Sequence, residues 1–321
     1  MGIRTLDLFA GCGGSSQGAR YAGCEIVSAI DKWKLAETTF KDNFPKTRFY
    51  CEEMDSFTSK RIRAEFNNID LILASPECTN HTCAKGGVRR SEDIRSEDSR
   101  KTAFHVLKFA KELMPRWIVI ENVTQMRSWS RYAEFIESLR RAGSGYQVRE
   151  QVLNSADFGV PQRRVRLFIL CDRKRKPPEV LPTRRRWVPI GKFLEMNGKY
   201  SLTPLYSKGR AERTIERARR AIKELERDTP FLIVYYGNDS AGGWQRLDAP
   251  LRTITTLDRF ALVRKEGRYL MRMLQVPELQ AAMGFPDNYK FEFGSRREKI
   301  HLLGNAVCPP VMKAVVSRLT H

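Results

Sequence analysis

The stretch that decides the fold is Asp7–Ser16, "DLFAGCGGSS". An apolar run beginning at Ile3 breaks at Gly11, Gly13 and Gly14, and "SSQGARYAG" (15–23) then reads as a helix. Strand, glycine turn and helix in that order open a βαβ unit. The next apolar run, "CEIVSAID" (24–31), is a second strand that ends in an acid, Asp31. Outward from there the alternation continues. "KLAETTFKDNF" (34–44) is helical and "DLILASP" (70–76) a strand; "SRKTAFHVLKFAKELM" (99–114) is a helix closed by Pro115. "RWIVIENV" (116–123) is a strand, "RYAEFIESLRRAG" (131–143) a helix and "RVRLFILCD" (164–172) a strand. Apolar strands alternating with amphipathic helices predict an α/β fold, a doubly wound, mostly parallel sheet covered on both faces. Ligands of such sheets bind at the carboxyl ends of the strands, where Gly11, Asp31, Cys78 and Glu121 fall.

After Asp172 the texture changes. "RKRKPPEVLPTRRRWVP" (173–189) is basic and proline-rich, and "RAERTIERARRAIKELERD" (210–228) is a charged helix. "PFLIVYYG" (230–237) and "LRTITT" (251–256) read as strands; from about 267 onward helical pieces lead to "GNAVCPPVMKAVVSRL" (304–319). The expected domains are 1–172 plus about 298–321, and a smaller basic unit over about 173–297. A chain of 321 residues is long enough for both.

The net charge of +20 is unevenly spread. Residues 1–78 hold 10 Lys and Arg against 11 Asp and Glu, whereas residues 172–228 hold 17 against 8. That concentration points to a polyanion such as DNA or RNA; a solvated basic face is the alternative. The seven cysteines are dispersed, with no C-x-x-C and no Cys/His cluster at zinc spacing, so free thiols in a reducing compartment and no metal are expected. The sequence reads as having no membrane-spanning run and no signal peptide, which predicts a cytoplasmic protein.

The glycine turn lacks the third glycine of a pyrophosphate cradle, because Ser16 stands there. A nucleoside cofactor without phosphates, such as S-adenosylmethionine, needs the same turn and the same ribose-binding carboxylate. Cys78 follows a strand and precedes a polar, basic loop, so it is either a packed thiol or a nucleophile. Glu121 ends an apolar strand, and Arg164 and Arg166 alternate onto one face of the next. A thiol, a carboxyl group and two guanidiniums would meet at one sheet edge, where cationic neighbours favour the thiolate.

With these motifs in order, the chain resembles the DNA (cytosine-5) methyltransferase family over nearly its whole length. "DLFAGCGG" matches the cofactor turn, Asp31 the ribose acid, and "EEMDSF" places Asp55 at the adenine-contacting acid. "SPEC" stands for the nucleophile motif, "DSRKTAF" for the segment after the catalytic loop, "ENV" for base recognition, "PQRRVRL" for Q-x-R-x-R, and "GNAVCPPV" for the closing cofactor motif. The resemblance implies a Rossmann-like methyltransferase fold with a target-recognition domain. It implies methyl transfer from S-adenosylmethionine, leaving S-adenosylhomocysteine, to C5 of a cytosine flipped out of DNA. Cys78 would be the nucleophile, Glu121 the group at N3 and Arg166 the group at the base carbonyl, with Arg164 on a nearby phosphate or the loop. The implied cofactor site takes in Phe9, Gly11, Cys12, Gly13, Gly14, Asp31, Lys32, Asp55, Ser56, Ser75, Asn305 and Ala306. The implied DNA contacts are Thr79, Lys85, Arg89 and Arg90 of a lid over 79–97, with Arg184, Arg185 and Arg186. Double-stranded DNA is the expected partner, a cognate restriction endonuclease a functional one, and the protein a prokaryotic or phage-encoded monomer.

The pattern departs from the family at Glu77, where a proline is usual, at Thr79, at Lys32 and in Asp31, shorter than the usual glutamate. The competing readings are the same chemistry on RNA and a non-catalytic nucleic-acid binder on this fold.

Overall fold

The computed structural model describes residues 2–76, 102–184, 186–236 and 242–321. Among the described residues, seven strands form one sheet in the order β3-β2-β1-β4-β5-β7-β6. They are β1 (Arg4–Leu8), β2 (Glu25–Ile30), β3 (Arg48–Tyr50), β4 (Leu71–Ala74), β5 (Trp117–Asn122), β6 (Gln147–Asn154) and β7 (Val165–Asp172). β4 and β5 are buried along their whole length, the mark of a strand covered on both faces. β7 runs antiparallel to both β5 and β6. The reason lies in the connection: the short link 155–164 can join β6 only to an antiparallel neighbour, since a parallel one needs a long crossover.

Helices cover both faces. On one side helix Gly14–Tyr21 packs against the C-terminal helix Pro309–Thr320. On the other, Phe57, Phe109 and Phe135 are fully buried in a second cluster. The segment Arg296–Thr320 is apolar enough by length and composition to cross a membrane, yet 67% of its most apolar window is buried inside the fold.

The smaller sheet is antiparallel in the order β10-β9-β11-β12-β8. Its strands are β8 (Thr203–Pro204), β9 (Phe231–Val234), β10 (Trp244–Arg246), β11 (Phe260–Glu266) and β12 (Arg268–Met273). The two-residue alternation sorts its side chains. Phe231, Ile233, Ala261 and Val263 meet Ala218 and Ala221 of helix Glu212–Glu224. Leu232, Val234, Phe260 and Leu262 instead join the core of the large sheet. Residues 285–295 pack with the first unit as well: the Tyr289 hydroxyl donates to the Cys12 carbonyl, and the Lys290 N–H donates to Asn43 Oδ1.

Two expectations are corrected. Residues 268–273 form a strand rather than a helix, paired residue by residue with β11. "LRTITT" is not a strand beyond one bridge between Gln162 and Leu251. Its backbone donors go elsewhere: the Leu251 N–H to the Pro161 carbonyl, Arg252 N–H to Gln245 Oε1 and Ile254 N–H to Gln162 Oε1.

Candidate active site and cofactor pocket

A cavity of about 430 Å³ opens at the carboxyl edge of the large sheet. The glycine turn forms one wall. Phe9, Gly11 and Gly13 all take positive φ, at 58°, 51° and 86°. Gly11 lines the cavity, and a Cβ added there would meet nothing within 4 Å. Asp31 locks this turn to the end of β2: its Oδ2 accepts from the Gly11 N–H and its Oδ1 from the Trp33 N–H, both at 2.9 Å.

Of the residues expected at the cofactor, the cavity brings together Phe9, Gly11, Asp31, Lys32, Asp55, Ser75, Asn305 and Ala306. Ser75 Oγ is buried and has no hydrogen-bond partner among the described residues. A buried hydroxyl left without a partner costs stability unless a ligand or water satisfies it. Lys32 lies 3.6 Å from Glu53 and Asp55 lies 3.6 Å from His105, on the same walls. Burial lowers the pKa of His105. The cavity also holds a pair that the sequence reading missed: the Trp33 and His301 rings meet edge-to-face at 5.2 Å. The aromatic two residues past Asp31 was the available signal for Trp33; His301 comes from the far end of the chain and offered none.

Cys12, Gly13, Gly14 and Ser56 do not line the cavity. The Cys12 thiol points to the Leu302 carbonyl, and burial pushes it up to about 12, so it stays a thiol. Gly13 and Gly14 are glycines for packing. A Cβ on Gly13 would stand 2.6 Å from the Tyr289 hydroxyl, and one on Gly14 would stand 2.2 Å from the Val307 carbonyl oxygen. Ser56 turns away to Glu52 and the Glu53 carbonyl.

The far wall carries the charged set. Glu121 ends β5, is buried, and pairs with Arg166, whose Nε lies 3.2 Å from Oε1. Burial raises its carboxyl above the ordinary range, while Arg166 and Arg164 pull it back. Both arginines line the cavity, but Arg164 is not available to a phosphate. It is 2% exposed and donates to the carbonyls of Ile254 (3.0 Å) and Gly304 (2.8 Å). Gln162 acts beside it, donating to the Ala282 carbonyl and accepting from the Ile254 N–H. Asn122 holds the end of the described segment after β4: its Nδ2 donates to the Pro76 carbonyl at 3.1 Å, and its Oδ1 accepts from the Val123 N–H. The roles of Gln162 and Asn122 were not foreseen, although both stand inside motifs that were.

Cys78, Thr79, Lys85, Arg89, Arg90 and Arg185 lie outside the described residues, as does Glu77. Arg184 and Arg186 are exposed on the loop before Trp187.

The family described as C-5 cytosine-specific DNA methylase matches residues 3–321. Type II methyltransferase M.DdeI of Desulfomicrobium norvegicum is 31% identical over 180 residues, 54% of this chain but only 42% of that protein, so the match spans under half of its length. Type II methyltransferase M.NgoPII of Neisseria gonorrhoeae is 26% identical over 331 residues, 95% of this chain and 92% of that protein. In fold, the chain is similar to a mutant of Spodoptera frugiperda DNMT2, with a TM-score of 0.70 at 19% identity over 99% of both chains. The chain belongs to the C-5 cytosine-specific DNA methylase family.

Proposed function

We propose that the protein methylates C5 of a cytosine extruded from double-stranded DNA, using S-adenosylmethionine. The observation that carries this reading is one cavity walled on one side by Gly11, Asp31 and the unpartnered Ser75 hydroxyl, and on the other by the buried Glu121–Arg166 pair. A nucleoside fits the first wall, with hydroxyl acceptors on Asp31 and ring surfaces at Trp33 and His301. When bound there, S-adenosylmethionine supplies an electrophilic methyl group.

Cytosine C5 is a weak nucleophile until its ring is converted to an enamine. In this reading the Cys78 thiolate adds at C6, forming a C–S bond and moving the ring's electron pair toward N3 and C5. A protonated Glu121 donates to N3 and accepts from the exocyclic amine; its burial favours that protonated form. Arg166 holds the base carbonyl and stays paired to Glu121. Arg164 acts at a distance, by joining the segment that carries Arg166 to Ile254 and Gly304. After methylation, loss of the C5 proton to solvent expels Cys78 and restores the aromatic ring. The Asn122 side chain holds the Pro76 carbonyl at the end of the described segment that precedes the "SPEC" cysteine in sequence.

Residues 1–172 with the C-terminal helices form the cofactor-binding body in this reading, and the smaller basic unit engages DNA. Relatives named Type II methyltransferases support a role as the modification half of a restriction–modification pair in the cytoplasm. The test offers 5-fluorocytosine DNA or RNA with S-adenosylmethionine, which traps the adduct because fluorine cannot leave as a proton would. A DNA adduct absent in Cys78→Ser supports the proposal. An adduct on RNA alone, or binding with no adduct, overturns it.

A further inference from the structure

We propose that Trp187 is a prebuilt DNA contact at the rim of the active-site cleft, laying its open ring face on the sugar and base of a nucleotide while Arg163 and Arg184 hold flanking phosphates. This contact presupposes a DNA substrate. The position comes first. β7 runs antiparallel to β5, with Leu167 opposite Asn122, so the residues just before β7 lie at the same carboxyl edge as Glu121. There the chain alternates: Gln162 and Arg164 are buried, whereas Arg163 and Val165 are exposed. Arg163 therefore faces outward only three residues from Arg166.

Trp187 is brought to that rim by a fold-back of the basic loop. The Thr183 and Arg184 N–H groups donate to the Asp157 carbonyl at 3.1 and 3.0 Å. The Arg184 side chain packs over Gly159, where an added Cβ would stand 3.3 Å from Arg184 Nε. The Trp187 indole N–H donates to Asp157 Oδ1 at 2.7 Å, and the Arg163 guanidinium sits 4.4 Å from the ring centroid. The ring is thus fixed at its edge and on one face, yet the residue remains 42% exposed. A large aromatic held rigid in solvent loses little freedom on binding, which is what makes aromatic anchors effective. The surroundings choose the partner: the segment 172–228 carries 17 basic against 8 acidic residues, and an arginine already stacks on the ring. Aromatic faces bordered by arginines suit nucleotides, which offer a planar base beside a phosphate.

The test compares wild type, Trp187→Ala, Trp187→Phe and Arg163→Gln in binding sheared unmethylated plasmid DNA. Trp187→Ala is expected to raise the Kd for DNA about tenfold and leave that for S-adenosylmethionine unchanged. Trp187→Phe keeps a ring and should stay within about threefold, and Arg163→Gln should reduce the salt slope of DNA binding by about one. The indole emission that separates wild type from Trp187→Phe should change when DNA is added, a readout independent of how well Trp187→Ala folds. DNA binding by wild type with that emission unmoved, or with an unchanged Kd in folded Trp187→Ala, overturns the contact and leaves the DNA reading standing. Wild type that binds RNA but not DNA removes both.

Discussion

Replacing Arg164 with methionine separates two roles for the first arginine of "RVR". A phosphate contact would show in DNA affinity; the structure instead makes Arg164 a clamp. Its guanidinium is buried and donates to two backbone carbonyls, Ile254 and Gly304, from segments far apart in the chain. Methionine fills a similar volume and donates nothing. Hydrogen bonds to a charged donor contribute about 1.5–3 kcal/mol each, and each carbonyl left buried without a donor pays its own desolvation. Two such bonds lost together set the expected loss at about 3–5 kcal/mol. With a urea m-value of about 3 kcal/mol/M, the unfolding midpoint should fall by roughly 1 M or more. The assay is urea unfolding followed by circular dichroism, with the salt dependence of DNA binding measured on the same preparations. The expected result is a large midpoint shift with the salt slope of the folded fraction unchanged. An unchanged midpoint with a slope reduced by about one would refute the clamp and restore a phosphate contact.

Four other outcomes follow from the same geometry. Asp7 is fully buried under the glycine turn, accepts from Ser16 Oγ at 2.6 Å, and is raised by burial from 3.8 to about 7. Its folded pKa is the higher one, so its contribution is complete below about pH 4 and is lost as pH rises toward 7. The span is worth up to ~4 kcal/mol, and Asp7→Asn should flatten that decline when unfolding free energies are compared at pH 5 and 7.5. Gly14→Ala puts a methyl 2.2 Å from the Val307 carbonyl oxygen and should cost about 1–3 kcal/mol in thermal unfolding. Gly11→Ala meets no atom but takes φ of +51°, so it should cost only ~1 kcal/mol while weakening S-adenosylmethionine binding by calorimetry. Asn122→Ala frees Pro76; the rate of adduct formation should fall at least about tenfold, with little change in cofactor affinity.

What the sequence made legible depends on whether a residue's role is decided locally. β4, β5 and β7 are mostly apolar and buried on both faces, which leaves them little else to be. β6 is an edge strand, mostly half-exposed, and its "QVREQVLN" gives no apolar period; β3 is three residues long. β12 was misread because Tyr269, Leu270, Met271 and Met273 satisfy a helical spacing as easily as a strand, and only its pairing with β11 decides. The site divides the same way. Asp31 and Glu121 stand out because acids at the carboxyl ends of buried strands are unusual, and Arg166 because it opens an apolar strand that runs back antiparallel to β5. Arg164 has the same residue type and the same facing as Arg166, and only the distant carbonyls of Ile254 and Gly304 distinguish it, by taking up its guanidinium.

The glycine motif shows why spacing alone misassigns residues. Glycine answers two different demands, a positive φ and the absence of a Cβ, and the sequence writes both with one letter. At Gly11 the turn needs the first and the cavity is open beside it. At Gly14 the demand is the second alone, because the Val307 carbonyl occupies the place of a side chain. Gly13 meets both, with φ of 86° and the Tyr289 hydroxyl against it. Three glycines read as one cofactor loop therefore answer two demands: Gly11 faces the cavity, and Gly13 and Gly14 let the turn and the first helix approach Tyr289 and Val307 closely. Substitutions should separate along that line, with cofactor affinity lost first at Gly11 and stability lost first at Gly14.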